Sequence, residues 1–229
     1  MEYRVGVEDM EPDNWVAYVF DLPGCFNSAR TQTEAVEGVA TAIRNYFDWR
    51  RKHVRPEMNL PVYQSIEIKV AELFVSYPAK EDPEYLVNAM FENDLQPIDM
   101  DGTLQVLDWN RRDLLELVRP LSSEILNRPS DPRFGNIAGI LKHIAVSEWW
   151  YVSRLNVAAE GQLLPDDPFA ALEVSRANTL ARLPELAGST RITEPLMSER
   201  WSPRKVIRRT LWHERDHINH ITQILASMK

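Results

Sequence analysis

Trp201-Ser202-Pro203-Arg204, followed by Leu211-Trp212-His213-Glu214-Arg215-Asp216-His217-Ile218-Asn219-His220, holds three of the chain's five histidines within eight residues. Ser202 suits a helix N-cap and Pro203 the first helical position, so the segment predicts one helix from Pro203 to Ser227. His213 and His217, four apart, then share a face and can grip one metal ion. Around the same helix, Ile207, Leu211, Ile218, Ile221 and Leu225 form an apolar arc that contains His217 and Glu214. His213 falls at its edge and His220 just beyond.

A carboxylate inside an apolar arc needs a cation or hydrogen bonds to offset its desolvation. Glu148 sits in the same way among Ile137, Leu141, Ile144, Val152 and Leu155. Both acids are candidates for buried hydrogen bonding, with each other's surroundings or with the histidines. His213-Glu214 and His217 also spell the His-Glu-x-x-His signature of zinc proteases, in which the glutamate is general base. That reading lacks a third ligand: no Asp or Glu follows Asp216, and positions 220 and 223 hold His220 and Gln223. Twelve residues after His217 are too few for the rest of a protease domain. A third ligand must come from upstream.

Working outward, the chain changes period. Tyr3, Val5 and Val7 alternate as in a strand, Trp15 to Phe20 form a second run, and a short third strand is expected near Phe26 to Ala29. Thr31-Gln32-Thr33-Glu34 is a capping box opening a helix to about Arg51. A strand from Ser65 to Phe74 follows, with Ile66, Ile68 and Val70 on one side. Tyr77-Pro78-Ala79-Lys80-Glu81-Asp82-Pro83 breaks the pattern, and a weak helix is expected near Glu84 to Glu92. After Pro97 the spacing is helical. Leu104, Leu107, Leu114, Val118, Leu121 and Ile125 trace one stripe ending near Pro129. Further helices are expected over about Asn136–Ala159 and Pro168–Arg182, giving four with the last one, as a bundle requires.

With Ile140-Leu141-Lys142-His143-Ile144-Ala145-Val146-Ser147-Glu148 on the second of these helices, residues 101–229 resemble the DinB/YfiT-like superfamily in length, helix count and histidine placement. The resemblance implies an up-down four-helix bundle. It also implies a divalent metal, zinc or nickel, held by His143 with His213 and His217; periodicity alone would not select His143. Glu214 is the candidate catalytic residue beside the ion. What the resemblance implies of activity is a hydrolase or thiol transferase acting on an unidentified small molecule, and a homodimer. Asn219-His220 departs from the Gly-Gln that many members carry there.

Asp21-Leu22-Pro23-Gly24-Cys25 and the capped helix after it, in a β-β-β-α-β order, resemble the HicB-like fold over about residues 2–75. The expected class is therefore α+β: a HicB-like domain (1–76), a linker (77–100) and the bundle (101–229). A non-catalytic alternative is a binding protein in which the HicB-like half meets a partner and the metal is structural or absent. The formal charge of −8 disfavours nucleic acid and anionic membrane as partners. Arg44, Arg50, Arg51, Lys52, His53 and Arg55 cluster where they suit a helix C-terminus instead. No apolar run is long enough to span a bilayer, the N-terminus lacks a signal-peptide core, and Cys25 is alone, so the cytoplasm is expected.

Limited proteolysis is expected to cut between Tyr77 and Asp99 and release two fragments near the proposed domain sizes. Cleavage mainly inside the last helix would contradict that division.

Overall fold

The computed structural model describes residues 1–11, 13–54, 65–75, 89–157, 163–186, 188–190, 192–193 and 200–228. Two compact units divide the chain, Met1–Asp94 and Leu95–Lys229.

The first unit contains β1 (Glu2–Glu11), β2 (Asn14–Val19), β3 (Phe26–Ala29), α1 (Gln32–Glu37), α2 (Val39–His53) and β4 (Glu67–Phe74). The sheet order is β3-β2-β1-β4. The β1–β2 and β2–β3 pairs are antiparallel, and β4 runs parallel to β1. Alternation sends Tyr3, Val5 and Val7 into a core with Ala35, Val39, Ile43 and Phe47 of the helices. On the other face, Gly6 lies under the rings of Phe20 and Phe91, where any Cβ would collide. Those rings meet edge to face with centroids 5.4 Å apart.

The capping box is present: Glu34 N–H donates to Thr31 Oγ1 (3.2 Å), and Thr31 N–H to Glu34 Oε2 (3.2 Å). The single helix expected to Arg51 is instead broken at Gly38. There the Asn27 amide donates to the Glu34 (3.2 Å) and Ala35 (2.9 Å) carbonyls and occupies the space of a Cβ. Ile66 and Ile68 pack against the core as expected, but Val70 is exposed, at the point where the β1–β4 register shifts between Val5 and Gly6.

Residues 77–88, most of the expected linker and of the weak helix, lie outside the described residues. Residues 89–94 pack with the first unit. Phe91 is buried, Ala89 N–H donates to Glu8 Oε1 (3.2 Å), and Glu72 accepts the N–H groups of Glu92 (2.6 Å) and Asn93 (3.3 Å).

The second unit holds α3 (Met100–Val118), α4 (Ser123–Asn127), α5 (Ile137–Ser153), α6 (Pro168–Arg182) and α7 (Pro203–Ser227). Each long helix starts on a side-chain cap that accepts an N–H three residues on: Asp99, Asn136, Asp167 and Ser202. Such caps contribute about 1 kcal/mol each. The stripe expected to run unbroken to Pro129 divides after Val118, since Pro120 has no N–H to continue the ladder; Leu121 and Ile125 pack from the separate α4 segment. The second helix ends at Ser153, short of Ala159, with Asn156 in a left-handed conformation (φ 56°). Leu114 and Val118, Ile137 to Ala145, Ala171 and Leu172, and Ile221 and Ile224 bring all four long helices to one apolar core.

Gly139, in the first turn of α5, leaves no room for a Cβ against the Phe134 carbonyl oxygen. Gly139→Ala is expected to lower stability by about 1–3 kcal/mol despite alanine's better helix propensity. Chemical denaturation would show this; a stabilised variant would mean that the loop before α5 yields freely.

Candidate metal centre

α7 projects His213 and His217 from one face toward α5, which supplies His143. The three side chains meet through the same ring atom: His213 Nε2 lies 3.0 Å from His143 Nε2 and 3.1 Å from His217 Nε2. His213, expected at the edge of the apolar arc, is the central member and is buried, as is His217, while His143 is half-buried.

Burial is the main cause holding the His143 imidazole down to about 4, with the Arg133 cation second. Burial also holds His217 down, to about 3, with His143 next. His213 is pushed well below its ordinary value by burial and by its two neighbours. All three are neutral at pH 7, the state in which imidazole donates a lone pair to a metal. A neutral imidazole carries one N–H, so His213 Nε2 cannot be satisfied by both neighbours through hydrogen bonds alone. A cation between the three nitrogens resolves that conflict, and ligands 2.0–2.1 Å from one ion at tetrahedral angles would stand about 3.4 Å apart. Nδ1 of His217 is buried with no hydrogen-bond partner among the described residues, which leaves that ring fixed by packing. Among the described residues, these three form the one group of His, Cys, Asp and Glu side chains placed to hold an ion.

Aromatic rings enclose the cluster. Phe134 lies against His143 (centroids 4.5 Å apart) and His217 (5.4 Å), while Tyr151 and Trp212 each stand 5.9 Å from His213. Trp201 is fully buried against Trp150 and Tyr151, in keeping with packing rather than a surface role. His220, given no role by spacing, turns to Asp131, with His220 Nε2 3.0 Å from Asp131 Oδ2.

Glu214 and Glu148 belong to a different arrangement. Arg111 of α3 donates through Nε to Glu214 Oε1 and through one terminal nitrogen to Glu148 Oε2, both at 2.6 Å. Arg176 of α6 donates to Glu148 Oε1 (2.7 Å) and Glu214 Oε2 (3.0 Å). The remaining terminal nitrogens reach the Leu172 and Leu107 carbonyls, each at 2.6 Å. The result is a buried square of alternating charge that ties α3, α5, α6 and α7. Burial alone would raise the Glu148 carboxyl, but Arg176 and Arg111 hold it below its ordinary value. Glu148 and Glu214 had signalled themselves as acids in apolar stripes. Arg111 carried the same mark, since it falls between Leu107 and Leu114.

Glu148→Gln would leave two buried guanidiniums facing one carboxylate. A loss of about 3–5 kcal/mol in denaturant unfolding is expected; a change below about 1 kcal/mol would show that the square does not hold the helices together.

Residues 106–221, just over half of the chain and including all three histidines, match the DinB superfamily, so the chain belongs to that superfamily. A UPF0150 protein from Thermoplasma acidophilum is 38% identical over 53 residues, 23% of this chain and 77% of that protein. That relative is consistent with the HicB-like character of the first unit. No solved structure matches the chain. No helix among the described residues is long and apolar enough to cross a membrane.

Proposed function

We propose that this DinB-superfamily protein is a divalent-metal-dependent enzyme acting on a small molecule, with His143, His213 and His217 as the protein ligands. The observation that carries this reading is the convergence of three neutral, largely buried Nε2 atoms at 3.0 and 3.1 Å spacing. An all-nitrogen donor set suits zinc or nickel and is a poor match for magnesium or calcium, which prefer oxygen. Three protein ligands with a position left for a substrate is a pattern of catalytic rather than structural zinc sites. When bound, the cation supplies Lewis acidity and lowers the pKa of a group that it holds, which suits hydrolysis or thiol transfer.

The chain's own residues prepare that chemistry. Burial keeps the imidazoles unprotonated, so an ion meets little competition from protons at neutral pH. Tyr151, Trp212 and Phe134 pack around the three histidines, and such apolar walls strengthen electrostatic interactions inside. Glu214 follows His213 directly, yet both of its oxygens accept from arginines. Its role in this reading is to hold α7 in place rather than to move a proton.

Metal content and calorimetric affinity should separate the histidines. His143→Ala, His213→Ala and His217→Ala are each expected to weaken zinc or nickel binding on the order of 100-fold or more, because two protein ligands hold a divalent ion poorly. His220→Ala should retain far more. Equal retention by the first three variants would overturn the three-histidine site.

A further inference from the structure

We infer that the loop from Asp131 to Asn136, latched to α7 through His220, positions the metal ligands by pressing Phe134 against His143 and His217. The inference rests on the metal-binding reading above. It begins with Asp131, whose side chain is only 7% exposed and both of whose oxygens are engaged. Oδ1 accepts the backbone N–H groups of Arg133 (2.9 Å) and Phe134 (2.6 Å), while Oδ2 faces His220 Nε2 at 3.0 Å. One carboxylate therefore folds its own loop and fastens that loop to the helix that bears His213 and His217.

The main chain closes the same loop. Gly135 N–H donates to the Asp131 carbonyl (2.9 Å), and Ser130 N–H donates to the Gly135 carbonyl (2.9 Å). Gly135 sits at φ 78°, where a side chain would add strain. At the far end Asn136 caps α5 by accepting Gly139 N–H at 2.8 Å, and the Phe134 carbonyl rests on the bare Cα of Gly139. Both ends are pinned, so the residue between them has little freedom.

That residue is Phe134. Its ring lies 4.5 Å from His143 at a 33° tilt, 5.4 Å from His217 at 82°, and 6.3 Å from His220 at 60°. It thus touches a ligand from each of the two helices at once. Among the described residues, Nδ1 of His217 has no hydrogen-bond partner to set the ring plane, the device by which metal-bound histidines are ordinarily oriented. Ring contacts set it instead, with Phe134 from the loop added to those of His213 (4.4 Å), His143 (5.2 Å) and His220 (6.0 Å). Asp131, Phe134 and His220 are accordingly positioning residues, and His220 is an anchor rather than a fourth ligand.

The test uses cobalt(II) as the probe on the full chain, since its visible absorption reports coordination geometry as well as occupancy. Compared are wild type, His213→Ala, Phe134→Ala, His220→Ala and His220→Gln. Phe134→Ala and His220→Ala should bind cobalt about tenfold more weakly, with altered visible bands. His220→Gln, whose amide N–H can reach the same carboxylate, should restore wild-type affinity and spectrum. Should Phe134→Ala fail to fold, the His220 pair decides alone. Wild-type affinity and bands in His220→Ala would overturn the proposal. So would loss in His220→Gln as severe as in His213→Ala, which would make His220 a ligand. No cobalt uptake by the wild-type chain would sink the metal reading itself and this proposal with it.

Discussion

Two guanidiniums and two carboxylates, alternating in a buried square, are the constraint on which the second unit depends. Charges out of water are tolerated only when each is compensated at close range, and Arg111, Glu148, Arg176 and Glu214 compensate one another completely. Each corner comes from a different helix. A sliding motion of any one helix would separate opposite charges in a low-dielectric interior. Apolar packing tolerates modest repacking, whereas this square accepts one arrangement.

The histidines inherit that arrangement. Glu214 is the next residue after His213, and Glu148 lies just over one turn beyond His143 on α5. Fixing the two carboxylates fixes the two helix backbones from which the imidazoles project. The triad thus projects from rigid elements, with one loop packed against it. His143, the half-buried member of the three histidines, is also the one that Phe134 covers most closely.

How much was legible from residues alone depended on whether the signal was local. The bounds of α7 followed from Ser202 and Pro203, and the capped α1 from Thr31 and Glu34, because caps act over three residues. The break at Gly38 depends on Asn27, eleven residues back in a strand. Glu148 and Glu214 stood out as acids in apolar arcs, yet their arginine partners are brought near by tertiary packing that no period reveals. His143 needed the family pattern, since its own helix places it off the apolar centre. Asp131 and Phe134 were invisible because a loop has no period to violate. The extension of the first unit to Asp94 was hidden for a related reason: Phe91 follows a stretch whose composition reads as a junction.

The parallel pairing of β1 with β4 also governs the order of events when the chain is made. β1 is the central partner of β2 and β4, yet its neighbour β4 begins at Glu67 and the cover over Gly6 comes from Phe91. Contacts of such long separation cannot form until their second member exists, and they form slowly once it does. β1 therefore waits through the synthesis of both helices with one edge and one face unfinished. The helical unit waits longer still, because Arg111 must meet Glu214 across 103 residues of chain. A chain translated from its first strand completes that strand's surroundings only after about ninety residues, once Phe91 exists to cover Gly6.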